Sequence, residues 1–493
     1  MPTTYFRNDY EFLKGCSDTI AREIPGTIPE HTLQSIWYDQ IFSEKGLTTL
    51  DGRKLKIVSP GWWNHGEGPD FKGAQVEFNG RLRNGDVEIH IHSDGWTHHA
   101  HHEDPRYDDV ILHVTLNTRT SKAPPTTSSG KPLPELDLTP YLSGDLQELA
   151  RWYTPEINPG KINGTLGKCA DFVRSYDTQA LNDFIHFAGE WRMLFKAKEM
   201  RQRMDACGVD QAVYEAIMYA CGYSQFKHHF KALARQLPYD RARQLGKEDA
   251  LLLEAAYARM SNTVPNNLPD ESSGFAHWTR MQSLLNKHLT GLRPLPLDWK
   301  RVGIRPVNYP ERRLAGMSRV ISRTAKTGLT ETLNMLWKSD LKPLALRKEF
   351  EKLFPTPMGF WATHCTWTGK PLKSPTSLIG GGRVRSIIGN IIVPLGLAIA
   401  REERNRPYEE RVYRFFAALP KEPENHIQKA MLPRLFGPDT LYKLDFRKQQ
   451  GLLQIFSDWC EPNPSCQNCN ALPWLEKLNK KNPALETQSQ GRT

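Results

Sequence analysis

Residues 71–92, FKGAQVEFNGRLRNGDVEIHIH, constrain the fold of this chain more than any other stretch. Residue types alternate on both sides of Asn79-Gly80, a dipeptide typical of the two-residue turn of a β-hairpin. Because successive side chains of a strand point to opposite faces, the second strand would have one aliphatic face and one polar face. The predicted polar face consists of Asp86, Glu88, His90 and His92.

The register of this hairpin decides whether Asp70, just before the first strand, reaches the polar face. With a two-residue turn and regular pairing, Asp70 falls opposite Ile89 and faces away from Glu88. A bulge at Asn84-Gly85 would add one residue to the second strand and bring Asp70 opposite His90. We therefore expect a bulge at Asn84-Gly85.

Carboxylates on this face would converge on one point. Asp70, Asp86 and Glu88 are the candidate ligands of a divalent cation, because such groups repel one another without one and oxygen ligands suit Mg²⁺ or Mn²⁺. Such an ion can activate water and neutralise a phosphoryl transition state. The alternative is an exposed polar strand surface without an ion.

The motif GPDF at 68–71, followed by an acid-x-basic tripeptide at 88–90, resembles the PD-(D/E)XK nuclease superfamily. This resemblance implies an N-terminal α/β sandwich that hydrolyses phosphodiesters, with Asp70 and Glu88 as metal ligands and His90 in the position of the catalytic lysine. It also makes Glu30 a candidate for the acid that often comes from the preceding helix. Asp70, Glu88 and His90 are therefore the predicted catalytic residues.

His90 is a departure from that motif. Histidine is mostly uncharged at neutral pH and is a poor substitute for a lysine that orients water and stabilises charge. The alternative function is therefore a catalytically inactive protein that binds nucleic acid on a nuclease-like fold.

Seven of the sixteen histidines fall between residues 90 and 113. Their imidazoles could form a second, softer metal site with nearby carboxylates, which would make the chain a histidine-based metallohydrolase. The other interpretations are a loop beside the active face that contacts phosphate or water, and a surface loop whose histidines are merely polar. The secondary candidates in this segment are His92, His101, His102 and Asp104, and the softer site could also use His98, His99 or Asp108.

The C-terminal part contains a cysteine loop, in which Cys460, Cys466 and Cys469 follow the spacing C-x5-C-x2-C. The loop resembles the iron-sulfur cluster loop of helix-hairpin-helix DNA glycosylases, which has four cysteines. Zinc and iron-sulfur sites normally have four protein ligands, so a distant cysteine or histidine would have to complete this one. The alternative is a set of reduced structural thiols.

Lysine and arginine outnumber aspartate and glutamate by 65 to 55, which favours DNA or RNA as a partner. Residues 293–326 are strongly basic, and Arg305, Arg312 and Arg313 are the candidates for binding phosphates. A solvated helix surface is the alternative for this stretch.

Eight cysteines in 493 residues do not form a disulfide framework, and no signal peptide or run of about 18 apolar residues is evident. We therefore expect a cytoplasmic protein that does not bind a membrane. The sequence leaves its oligomeric state open.

Strand patterns precede residue 135, and helical periodicity dominates from about 177. The predicted fold class is α+β, with a nuclease-like domain at 1–135, a helical domain at 136–290, a basic helical region at 291–476 and a disordered tail at 477–493. Blocks such as GDVEIH and RPVNYPERRLAG, spread over about 30–472, are similar to an uncharacterised bacterial family common in Bacteroidetes. The nuclease hypothesis therefore depends on the hairpin.

Overall fold

The computed structural model describes residues 6, 10, 30–40, 42–64, 67–116, 124–142, 169–170, 178–354, 357–437, 441–460 and 471. The chain is α+β, with a sheet in its N-terminal part and a mostly helical remainder. It divides into two compact units, of which the first comprises 1–195 and 423–493 and the second 196–422. The first unit is therefore discontinuous in sequence. The domain boundaries expected at 135, 290 and 476 stay predictions, and the tail at 477–493 lies outside the described residues.

Helix α1 (Glu30–Asp39) precedes a mixed sheet. Its described strands are β1 (Leu55–Ser59), β2 (Trp62–Trp63), β3 (Phe71–Phe78), β4 (Arg81–Ile89), β5 (Val110–Thr115) and β6 (Glu135–Asp137). The strand order is β1-β3-β4-β5-β6, and β2 pairs with β3. The β4–β5 and β5–β6 pairs are parallel, whereas β3 is antiparallel to its neighbours.

A parallel pair requires a crossover connection. Between β4 and β5 this connection contains helix α2 (Gly95–His98) and two 3₁₀ turns, His101–Glu103 and Pro105–Tyr107. Most of the histidine-rich segment belongs to this crossover, which therefore places its imidazoles beside the end of β4.

The β3–β4 hairpin forms at the predicted position. Phe78 pairs with Arg81 across the turn. Asn79 and Gly80 both have positive φ, 49° and 79°, as a type I′ turn requires. Local sequence pattern is therefore sufficient to predict this turn.

The prediction of a bulge at Asn84-Gly85 is wrong, because both residues pair in regular register with β3. The register shifts between Phe71 and Ala74, so the extra residue lies in β3, at Lys72-Gly73. Gly73 has a φ of +65°, which glycine adopts readily. The shift pairs Phe71 with Val87 and brings Asp70 across from Glu88.

Gly85 has a different role from the expected one. A Cβ atom at this position would lie 2.3 Å from Ile111 Cγ2 and 2.6 Å from the carbonyl oxygen of Asp109. Glycine therefore allows β5 to approach β4 closely.

The two faces of β4 differ as predicted. Val87 and Ile89 lie in a hydrophobic core that includes Leu33 and Trp37 of α1. On the polar face, Glu88 and His90 are only 5% and 2% exposed. The alternative of an exposed polar strand surface is therefore wrong, and these ionisable groups need partners in the interior.

The remaining described chain is mostly helical, as the periodicity from about residue 177 predicts. In chain order they are α3 (Thr178–Cys207), α4 (Val209–Cys221), α5 (Tyr223–Gln236), α6 (Tyr239–Glu248), α7 (Ala250–Met260), α8 (Phe275–His288), α9 (Pro310–Thr324), α10 (Leu329–Trp337), α11 (Pro343–Lys352), α12 (Phe360–Thr363), α13 (Gly381–Ile387), α14 (Val393–Glu402), α15 (Arg406–Ala417), α16 (His426–Phe436) and α17 (Phe446–Ile455). A π-helical segment, Ile388–Ile392, joins α13 to α14.

The continuous helical segment Gly381–Glu402 is, among the described helices, long and apolar enough to cross a membrane by length and composition. Its most apolar window is 78% buried inside the protein, as expected for a core helix. The sequence has no uninterrupted apolar run here, because glycine, asparagine and proline separate its aliphatic residues.

Candidate functional site

A row of ionisable residues crosses the sheet. In the parallel register Glu88 pairs with His113, and His113 pairs with Glu135. At the other end of the row, the backbone N–H of Asp70 donates to Glu88 Oε2 over 2.9 Å. Strands β4, β5 and β6 and the residue just before β3 therefore align Asp70, Glu88, His113 and Glu135 side by side.

Asp70 is held in place by two hydrogen bonds. Gln34 Nε2 on α1 donates to its Oδ1 over 2.8 Å, and the backbone N–H of Ile89 donates to its Oδ2 over 3.1 Å. Burial and the neighbouring Glu88 carboxylate nevertheless raise the pKa of Asp70 to about 7. The structure thus brings together the two predicted carboxylates, although through a different bulge.

Glu88 is more strongly perturbed. Burial raises its pKa to about 8, and the charge of Glu30 adds to the increase. Lys72 opposes it, but the Lys72 ammonium forms its ion pair with Asp86. Within the described chain, no lysine or arginine forms an ion pair with Glu88 or Asp70.

Glu30 lies in the first turn of α1 and is half-buried. Burial raises its pKa, and the Asp70 carboxylate raises it further. Glu30 therefore lies within electrostatic range of Asp70 and Glu88, as the candidate helix acid was expected to do. Three carboxyl groups from α1, the start of β3 and β4 share this site.

Asp86 has partners of its own. Its Oδ1 accepts from the backbone N–H of Gly73 over 2.9 Å, and its Oδ2 lies 3.4 Å from Lys72 Nζ. These contacts tie Asp86 to the bulge in β3. These contacts help to hold the register that aligns Asp70 with Glu88, and Asp86 as a metal ligand stays a prediction.

His90 is the centre of a buried histidine network. Its Nδ1 lies 2.9 Å from His113 Nε2, and its Nε2 lies 3.0 Å from His99 Nδ1. Glu135 Oε1 lies 3.0 Å from His113 Nδ1 and also accepts from Ser93 Oγ over 2.7 Å. Burial and the neighbouring histidines lower the pKa of His90 to about 2, so this side chain does not carry the charge of a lysine.

His101 joins this network to the carboxylates. Its Nε2 lies 3.1 Å from Glu88 Oε1. The ring stacks on Tyr107 with centroids 3.8 Å apart and meets the edge of Trp96. The ligand atoms of His90, His99 and His101 all lie within 4.8 Å of one another.

Other predicted residues of the crossover lie outside this cluster. Asp104 caps a 3₁₀ turn and binds Arg106. His102 is 35% exposed and lies 3.4 Å from Glu103 Oε1. Three further candidates also lie outside the cluster. His98 is exposed beside Asp94, and Asp108 accepts a hydrogen bond from Ser128. His92 is half-buried.

Two of the three predicted phosphate-binding arginines are buried. Arg312 is fully buried and donates to the backbone carbonyls of Trp361, His364 and Val307. Arg313 is 3% exposed and donates to the Cys221 carbonyl. Their guanidinium groups stabilise α9 against its neighbours and are not presented to a nucleic acid, whereas Arg305 is exposed.

Cys460 is buried in a π-helical turn, Phe456–Cys460. Cys466 and Cys469 lie outside the described residues. The zinc or iron-sulfur site expected at this loop therefore stays a prediction.

Gln34, His113 and Glu135 belong to the site, although the sequence analysis did not select them. His113 offered a signal, because it is the one ionisable side chain in the aliphatic strand VILHVT. No sequence signal marks Glu135, because it joins the row only through the parallel pairing of β6 with β5.

The chain belongs to the family described as "Protein of unknown function (DUF2851)", which matches residues 30–426 and so includes the whole row. The predicted membership of an uncharacterised family is confirmed. No curated protein and no solved structure matches the chain.

Proposed function

We propose that this protein hydrolyses phosphodiester bonds of nucleic acid with a divalent cation, Mg²⁺ or Mn²⁺, held by Asp70 and Glu88. The observation that carries the proposal is the pairing of the half-buried Asp70 carboxylate with the buried Glu88 carboxylate, without a lysine or arginine of the described chain bound to either. Glu30 adds a third carboxyl group from α1. A bound cation would replace their mutual repulsion with attraction.

The positions of these groups support the nuclease resemblance. Asp70 immediately precedes β3, Glu88 lies on the next antiparallel strand, and Glu30 comes from the preceding helix. This is the arrangement that the PD-(D/E)XK motif implies. The excess of basic residues, 65 against 55 acidic ones, favours a polyanionic substrate.

The residues present fit a cation that prefers oxygen ligands. When bound, such an ion lowers the pKa of a coordinated water and offsets charge on the phosphoryl group. Gln34 and the Ile89 N–H orient the Asp70 carboxylate, and the Asp70 N–H orients that of Glu88. These hydrogen bonds fix both groups before the substrate arrives.

Neutral His90 cannot supply the positive charge of the motif's lysine. Lys72 can, because its side chain is 47% exposed, lies at the bulge and acts electrostatically on Glu88. We assign to Lys72 the contact with the phosphate of the substrate. Proton transfer at His90 is not required in this assignment.

The test is cleavage of labelled single- and double-stranded DNA and RNA by the full chain with Mn²⁺ or Mg²⁺. We expect Asp70→Asn and Glu88→Gln each to reduce the cleavage rate by on the order of 100-fold. Glu77→Gln is a matched control, because Glu77 lies on the same hairpin and pairs with Lys56 instead. Cleavage that survives in Glu88→Gln would show that a contaminant or another site is responsible.

The second candidate function is binding of nucleic acid without turnover, which the neutral state of His90 favours. Wild-type protein that binds Mn²⁺ and nucleic acid but cleaves none of the four polymers would establish this alternative and overturn the hydrolysis proposal.

A further inference from the structure

We infer that His90, His99 and His101, together with Glu88 Oε1, form a binding site for a transition-metal ion such as Zn²⁺. This site lies on the crossover side of Glu88, whereas Asp70 lies on the β3 side. It shares one carboxylate with the proposed hydrolytic site but does not depend on hydrolysis.

Three of the separations among the donor atoms are close to those expected around one ion. His90 Nε2 lies 3.0 Å from His99 Nδ1, and Glu88 Oε1 lies 3.1 Å from His101 Nε2 and 3.7 Å from His90 Nε2. In a tetrahedral zinc site with bonds of about 2.0–2.1 Å, neighbouring ligand atoms lie about 3.3–3.4 Å apart. These three pairs therefore already lie near the separation that binding requires, and the ligand atoms of the three imidazoles all lie within 4.8 Å of one another.

Hydrogen bonding fixes which nitrogen of His90 faces the cluster. The Glu135 carboxylate can only accept, so its contact with His113 Nδ1 places a proton on that nitrogen. His113 Nε2 is then an acceptor and takes the N–H of His90 Nδ1. The lone pair of His90 consequently lies on Nε2, which points to His99 and Glu88.

Such carboxylate–histidine contacts commonly orient histidines that bind metals. Here the contact is extended by one ring, from Glu135 through His113 to His90. Gly95 permits this placement, because a Cβ atom there would lie 2.6 Å from His90 Cγ. Gly95 at the start of α2 and the hydrogen bonds from Glu135 through His113 together hold the His90 ring in one orientation.

His101 gives an independent indication of a ligand. It is only 7% exposed, and its buried Nε2 makes no hydrogen bond with any described group despite its closeness to Glu88. A buried nitrogen without a hydrogen bond is costly. A metal ion between His101 and Glu88 would satisfy both atoms.

The remaining ligand, His99, is exposed and lies just after α2. It therefore gives an ion access to the otherwise buried donors. Three imidazoles and one carboxylate favour Zn²⁺, Fe²⁺ or a similar ion over Mg²⁺, which prefers oxygen ligands.

The test is a titration of chelator-treated full chain with Zn²⁺ by calorimetry, and with Co²⁺ by visible absorption, which reports coordination geometry. We expect one equivalent of Zn²⁺ to bind to wild type, and His99→Ala and His101→Gln each to weaken binding at least tenfold. His98→Ala is the matched control, because His98 is an exposed neighbour on α2 that contacts Asp94. Asp70→Asn should retain zinc binding.

Two results would overturn the inference. One is wild-type affinity no greater than that of His99→Ala, and the other is an equal loss of affinity in His98→Ala. Because His99 is exposed, its replacement tests the site even if His101→Gln does not fold. Zinc binding without nucleic-acid cleavage would overturn the proposed function alone, and cleavage without zinc binding would overturn this inference alone.

Discussion

Glu88 and Glu215 are both buried glutamates, 5% and 3% exposed, in opposite electrostatic environments. Arg203 Nη2 lies 2.6 Å from Glu215, and Arg235 Nε lies 3.4 Å from it. Although burial acts to raise the pKa of Glu215, Arg235 and Arg203 hold it below its usual value. For Glu88, burial raises the pKa to about 8. The protein supplies its own cations to Glu215, and our proposal is that Glu88 receives one from solution.

The largest expected effect on stability comes from removing one of the two arginines that pair with Glu215. Arg235→Met should lower the free energy of unfolding by about 3 kcal/mol, because it leaves a buried carboxylate with less compensation. Thermal unfolding measures the loss. Arg201→Met is the control on α3, because Arg201 is 38% exposed and its half-exposed pairs with Asp205 and Glu402 contribute little. Equal losses in both variants would remove the contrast between Glu88 and Glu215.

The next effect is the pH dependence of the metal-free protein. Asp70 and Glu88 have pKa values of about 7 and 8, above those of the unfolded chain, so folding takes up protons. Their contribution to stability is therefore present at low pH and is lost as the pH rises to about 8. His90 and His101 have lowered pKa values and act in the opposite direction, but only below about pH 6.5.

Between pH 6.5 and 8.5 the carboxyl groups dominate, and we expect a loss on the order of 1–2 kcal/mol. Thermal unfolding with a chelator should show this decrease in wild type and in the Glu77→Gln control. Glu88→Gln should flatten the profile, because the amide does not ionise. A profile that is level in wild type would contradict the assigned environment of Glu88.

The smallest expected effect on stability is at Lys72. Its pair with Asp86 is half-exposed, so Lys72→Met should change the free energy of unfolding by less than about 1 kcal/mol. The same variant should reduce cleavage at least tenfold if Lys72 contacts the phosphate. Lys56→Met, which removes a partner of Glu77 on the neighbouring strand, should leave the cleavage rate unchanged. Similar rates in both variants would exclude the assigned role of Lys72.

Local patterns predicted the hairpin well. The alternation of β4 and the Asn-Gly turn fix which side chains share a face, and the structure confirms both. They did not predict which strand carries the bulge, because Gly73 and Gly85 are both suitable glycines. The choice depends on long-range contacts, namely Asp86 with the Gly73 N–H and Ile111 against Gly85.

Non-local packing explains the other differences. Glu135 reaches the site only because β6 pairs with β5 after a long connection. The basic stretch looked solvated or nucleic-acid-binding, yet Arg312 is enclosed by backbone carbonyls from a loop about fifty residues later in the chain. A sequence shows the charge of such a residue but not whether the fold supplies partners for it.

The central claim is that Asp70 and Glu88 present their carboxylates to one divalent cation. Calorimetric titration of Mn²⁺ into chelator-treated wild type, Asp70→Asn and Glu77→Gln at pH 7.5 tests it most directly, because Asp70 belongs to this site alone whereas Glu88 also faces the histidines. We predict saturable binding in wild type and Glu77→Gln and at least a tenfold weaker affinity in Asp70→Asn. Equal affinities in all three proteins would contradict the claim.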